Sequence, residues 1–179
     1  MNPGCTVDVS LAYADWSRIC PGAAGLARNA AELAVARAKT ALAPAWQGPV
    51  ELGIILGDDA GQRRLNRSYR GRDGSTNVLA FPAWEPEARL PPGAPLLLGD
   101  VVLALETVMR EAAEQEKPVA DHLSHLTVHG VLHLFGYNHI GEAEAASMES
   151  LERSILAELG VPDPYRDTMS SIEPAAVQR

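Results

Sequence analysis

The chain is poor in cysteine. Cys5 and Cys20 are the two it has in 179 residues, and they form neither a metal-binding spacing nor a disulfide framework. That excludes the small disulfide-stapled class and leads us to expect a reduced, cytosolic protein with two inert thiols. Long apolar runs are missing as well. No stretch approaches the roughly 20 residues needed to cross a bilayer. The opening MNPGCTVDVSLAYADW has no basic segment leading into an apolar one, so no signal peptide and no membrane association are expected. Positive charge is scarce too: the net charge is −8, which argues against nonspecific binding to nucleic acid. What remains is ordinary globular composition, 46% hydrophobic and 21% charged, in a chain long enough for one domain with a sizeable core.

Against that acidic background one basic concentration stands out. Arg63, Arg64, Arg67, Arg70 and Arg72 fall within RRLNRSYRGR with no acid among them. Any one of them is explained by a solvated helix face. As a group they mark where a polyanion would bind.

Periodicity places the elements. VDVSLA (7–12), VELGIIL (50–56), TNVLAFP (76–82) and LLLGDVVLA (96–104) read as strands, the last with Gly99 as a bulge or close approach. The Ala- and Leu-rich residues 23–43 read as a long helix. Asp58 and Asp59 suit the cap of a helix over about 60–68. Helices follow over 105–116, from 118 to about 135, and from about 142 to 159. The last carries Met148, Leu151, Ile155 and Leu159 on one face. Residues 83–95 form a proline-dense loop, and 168–179 a polar, fraying tail. The expectation is a single α+β domain over 1–167: a small mixed four-stranded sheet covered by helices.

The chemistry concentrates in HGVLHLFGYNH (129–139). His129 and His133 are four apart on the expected helix, about 40° apart around its axis, so both imidazoles reach one point. Gly136 permits the turn that ends the helix, and His139 can then approach from outside. Three imidazoles with an open fourth position is the layout of catalytic zinc. The spacing matches the zinc-protease pattern H-E-x-x-H-x-x-G-x-x-H, except that Gly130 replaces the glutamate base. Peptide hydrolysis needs that base. Phosphodiester cleavage leans more on charge, which a metal and a bidentate arginine supply. His125, one turn before His129, is either a solvated helix residue or a support for a ligand.

Taken in order, LNRSYRGRDGSTNVLAFP (65–82), LLGDVVLA (97–104), HGVLHLFGYNH (129–139) and LGVPDPY (159–165) resemble the YbeY family of bacterial metal-dependent endoribonucleases, over roughly residues 50–165. The resemblance implies an α+β fold with the metal helix packed on a small mixed sheet. It also implies one zinc ion on His129, His133 and His139, and a catalytic arginine at Arg70. The implied activity is cleavage of single-stranded RNA in 16S rRNA 3′-end maturation and ribosome quality control. The small ribosomal subunit and the GTPase Era are the implied partners. One departure is visible: the family's G-Y-D-H is G-Y-N-H here, and Asn138 can hydrogen-bond but cannot act as a base.

On this reading Arg70 pairs with the scissile phosphate, while Arg63, Asn66, Arg67 and Arg72 position the strand. Asp100 and Asn138, with His125, are candidate supports for the ligands, and Thr76 and Asn77 are candidate substrate contacts. The nucleophile, water or the RNA 2′-hydroxyl, is left open. Two rivals stand beside it: a zinc peptidase with a substitute acid such as Glu142 or Asp100, and a zinc-stabilised ribosome assembly factor without catalysis.

Overall fold

Strict alternation in VELGIIL buries Val50, Leu52, Ile54 and Leu56 on one side of a strand, β2 (Val50–Gly57). Its neighbours are β1 (Cys5–Leu11), β3 (Val78–Pro82) and β4 (Leu96–Ala104). They form one sheet in the order β1-β2-β4-β3, with β1, β2 and β4 parallel and β3 antiparallel on the edge. The computed structural model describes residues 4–42, 48–70, 76–84, 91, 93–138 and 141–166. Arg72, His139 and the expected tail lie outside these residues. No helix among them is long and apolar enough to cross a membrane.

The helices are α1 (Asp15–Ile19), α2 (Ala23–Leu42), α3 (Asp59–Arg70), α4 (Leu105–Glu114), α5 (Val119–Leu134) and α6 (Glu142–Glu158). The α+β expectation holds. The short α1 was not legible beforehand. It exists because Trp16 is fully buried and donates its indole N–H to the Gly57 carbonyl at 2.8 Å. Gly99 is the expected bulge: the β2–β4 register shifts at Glu51/Leu52, and Gly99 has φ +134°, where a side chain would be strained. Asp58 accepts the Gly61 N–H at 2.8 Å as the cap of α3, while Asp59 ties α3 to α4 through the Thr107 hydroxyl at 2.9 Å.

The two faces of the sheet are used differently. Val7, Ile54 and Val101 face α2 and α5, and the buried stripe Ala27, Ala30, Ala31, Ala34 and Ala38 lets α2 lie close against α5. On the other face sits α3, whose Tyr69 packs edge-on against Phe81 with ring centroids 5.2 Å apart. Asp100 pairs across the sheet with Gly53 and Phe81, so it belongs to that second face and is exposed there.

Helix α5 is the centre of the molecule, packed on α2, α4, α6, β3 and β4. Gly130 makes the approach to the sheet possible. A Cβ there would lie 2.6 Å from Val101 Cγ1 and 3.1 Å from Val78 Cγ2. Position 130 is therefore a packing position, and its glycine is explained without reference to a lost base. Gly130→Ala is expected to lower stability by about 1–3 kcal/mol through overpacking. A shift of the urea midpoint at unchanged slope would show it.

Candidate metal centre and its cleft

Four histidines, His122, His125, His129 and His133, run along one side of α5, with successive ring centroids 6.2, 6.3 and 4.5 Å apart. The last two converge. His129 Nε2 and His133 Nε2 are 2.9 Å apart. Their Nδ1 atoms are held elsewhere: that of His129 lies 2.7 Å from Glu152 Oε1, and that of His133 lies 2.8 Å from the Tyr137 carbonyl oxygen.

The turn after α5 explains the second contact. The Gly136 N–H bonds the His133 carbonyl and the Tyr137 N–H bonds the Leu132 carbonyl, with Gly136 at φ +91°. This is a Schellman motif, and it folds the Tyr137 carbonyl back over His133. Helix α6 explains the first contact. It buries Met148, Glu152, Ile155 and Leu156, so a carboxylate occupies the core stripe where the sequence pattern pointed to Leu151 and Leu159, which are only partly buried.

A carbonyl oxygen only accepts, so His133 carries its proton on Nδ1. Glu152 is held ionised. Burial pushes its pKa up, but the hydrogen bonds from His129 and Tyr165 outweigh that and hold it below the usual carboxylate range. The carboxylate therefore accepts from His129 Nδ1–H. With both Nδ1 atoms held in this way, the two Nε2 atoms turn toward the same point, where a cation would meet both. The gap is a little under the roughly 3.3 Å that separates two nitrogens on a tetrahedral zinc.

A second grouping competes as a cation site. His125, His129 and Glu152 each offer a ligand atom within 4.8 Å of the others. A cation there would have to displace the His129–Glu152 hydrogen bond and the bond that the Tyr165 hydroxyl donates to Glu152 Oε2. A cation at the Nε2 pair would require no such loss and would leave the Glu152–His129 hydrogen bond in place.

A cleft of about 450 Å³ opens in front of the pair, with Asn77, Val78, Ala80 and Pro82 on one wall and His129, Gly130 and His133 on the other. Thr76, also at this cleft, and Asn77 are where the sequence placed substrate contacts. Asn77 donates to Glu111 at 2.9 Å, and Glu111 also meets His122 Nε2 at 2.8 Å. Beyond His129 a second hollow of about 360 Å³ is lined by Glu111, His122, His125 and Tyr165.

The remaining candidates are dispersed. Arg63 and Arg67 are exposed on α3, on the sheet face away from the histidines, and Asn66 is buried beneath them. Arg70 ends α3. Asp100 is on the face away from α5. Asn138 follows the Schellman turn and is half-buried. His125 is mostly buried and stands 4.0 Å from Glu152 Oε2.

A family profile described as Endoribonuclease YbeY matches residues 25–160. The chain belongs to that family. The match reaches further toward the N-terminus than the four motif blocks and takes in most of α2. An endoribonuclease YbeY of Rhodopseudomonas palustris strain BisA53 is 54% identical over 144 residues, covering 79% of this chain and 84% of that protein. One of Paramagnetospirillum magneticum is 59% identical over 119 residues, covering 66% and 73%. The solution structure of a Thermotoga maritima protein superposes with a TM-score of 0.56 at 20% identity, over 97% of this chain and all of that one, and so shares the fold.

Burial, more than the charges around it, pushes the His125 pKa down from 6.5 to about 4. Between those values the unfolded chain binds a proton that the folded one refuses, so stability falls as the pH falls. The metal-free protein is expected to lose about 2 kcal/mol from this residue between pH 7 and pH 5. Denaturant titrations at both pH values, beside His125→Leu, would read it as the part of the pH dependence that the variant lacks.

Proposed function

We propose that this chain is a single-strand-specific endoribonuclease that works with one divalent metal ion on His129, His133 and His139. The observation that carries the reading is the convergence of two imidazole Nε2 atoms on one wall of the cleft, with both Nδ1 atoms already held. All-imidazole donors favour zinc among the available divalent ions. His139 enters from the motif spacing. A zinc ion held there supplies concentrated positive charge against a scissile phosphate.

The chain's own residues do the rest. Glu152 and the Tyr137 carbonyl fix the two imidazoles. The β3 wall of Val78, Ala80 and Pro82 is uncharged and gives a ribose and base an apolar surface beside the ligands. Arg70, the last residue of α3, is the proposed partner of the scissile phosphate. Arg63, Arg67 and Arg72 then hold the strand as it passes round the β3 edge. The proposed substrate is the 16S rRNA precursor, in 3′-end maturation and ribosome quality control, with the small ribosomal subunit and Era as partners. Family membership supports that part of the reading.

The peptidase rival is disfavoured by packing. The usual glutamate position, 130, is pressed against Val101 and Val78, and of the substitute acids Asp100 faces the other side of the sheet and Glu142 is exposed at the start of α6. Glu152, the acid that touches His129 among the described residues, has both oxygens engaged.

Cleavage of an end-labelled single-stranded RNA by metal-replete protein is expected to be lost in His133→Ala. It should fall in Arg70→Ala by an amount equivalent to about 2–4 kcal/mol of transition-state stabilisation. Equal rates in all three proteins would mean the cleavage is contamination. Product ends name the nucleophile, since a 2′,3′-cyclic phosphate requires the 2′-hydroxyl. Asn138→Asp is expected to be faster or to shift the pH optimum, and a superimposable pH–rate profile would remove Asn138 from the mechanism.

A further inference from the structure

The segment Asp163–Tyr165 follows α6 and has no helix or strand of its own, yet it is tied down at every residue. The Tyr165 N–H bonds Asp163 Oδ1 at 2.9 Å. Arg153 reaches the same carboxylate at 3.3 Å and lays its guanidinium over the Tyr165 ring, 5.0 Å from the centroid. Lys117, from the loop before α5, donates to the Pro164 carbonyl at 3.1 Å. His125 meets the tyrosine ring nearly at right angles, centroids 5.8 Å apart. These contacts converge on one result: the phenol hydroxyl is delivered to Glu152 Oε2 inside the protein.

Glu152 is fully buried, and its two oxygens are divided between two donors, His129 Nδ1 on Oε1 and the Tyr165 hydroxyl on Oε2. A carboxylate held at both oxygens cannot rotate. Its Oε1 stays on the Nδ1–H axis of His129, and the Nε2 lone pair stays aimed at His133. A competitor for the carboxylate is in place. His125 Nε2 is 4.0 Å from Oε2, and neither of its ring nitrogens has a hydrogen-bond partner among the described residues. If the tyrosine hydroxyl is removed, Oε2 becomes a buried acceptor without a donor, and turning toward His125 satisfies it at the expense of His129.

We propose that Tyr165 acts as a positioning residue: through Glu152 it commits the carboxylate to His129 rather than His125 and so sets the metal affinity of the site. The C-terminal segment is then a clasp on the metal centre. This rests on the reading that His129 and His133 hold the ion.

The test is Zn²⁺ affinity of the full chain by competition with a chromophoric chelator, with the visible spectrum of the Co²⁺ form as second readout. Tyr165→Phe keeps the ring and its contacts with Arg153 and His125, and loses only the hydroxyl. It is expected to bind Zn²⁺ on the order of 10-fold more weakly and to shift the Co²⁺ absorption bands, while the metal-free protein melts as wild type does. Glu152→Gln is expected to lose 10- to 100-fold, in the range of other supports of metal-ligating histidines. Wild-type affinity and spectrum in Tyr165→Phe, with binding abolished in His133→Ala, would overturn the clasp and leave the metal site standing. So would a loss of affinity that only follows a loss of stability in the metal-free protein. Wild type binding Zn²⁺ no better than His133→Ala would overturn the metal site, and the clasp with it.

Discussion

A neutral imidazole has one proton and one lone pair. Two of them offer lone pairs to a common point only if both protons are taken up on their far sides. The site depends on that constraint. The helix repeat brings His129 and His133 to the same side of α5, but it does not say which nitrogen faces inward. Glu152 and the Tyr137 carbonyl decide it, one from a neighbouring helix and one from the turn that ends α5. Without those two acceptors, either ring could turn the wrong nitrogen toward the cleft.

The surrounding fold makes those acceptors rigid. Helix α5 is gripped by α2 through a stripe of alanines and approaches the sheet closely at Gly130. Trp84 adds a hold on its last turn, donating its indole N–H to the Leu134 carbonyl at 2.9 Å. Burying the Glu152 carboxylate is unfavourable in isolation. Two short hydrogen bonds and the nearby imidazoles offset it, so the charge persists where water is excluded.

The sheet separates the arginines of α3 from the histidines of α5. The exposed Arg63, Arg64 and Arg67 of α3 lie on one side of the sheet, and the four histidines of α5 on the other. The edge strand β3 lies between them, and its inner side forms the cleft wall. A polyanion held by the first group meets the second only by passing round that edge. Asp100, an acid among the motif blocks, stays clear of the cleft because strand alternation turns it to the far face.

The sequence by itself determined the α+β class, the four strands and the five long helices, because alternation and helical periodicity are local and strong. It determined the His129/His133 pair and the Gly136 turn for the same reason: each follows from spacing within one segment. The blocks that carried the family resemblance are likewise local. Only the tertiary structure decided what lies behind the two imidazoles. Glu152 reads in the sequence as one more charge on an acidic helix, and its one signal is that it falls in step with Met148 and Ile155. Tyr165 sits in a segment without periodicity. Gly130 looked like the loss of a base until Val101 and Val78 were seen to fill its space. Orientation, packing and hydrogen-bond partners depend on residues far apart in the chain, and no local pattern encodes which of them meet.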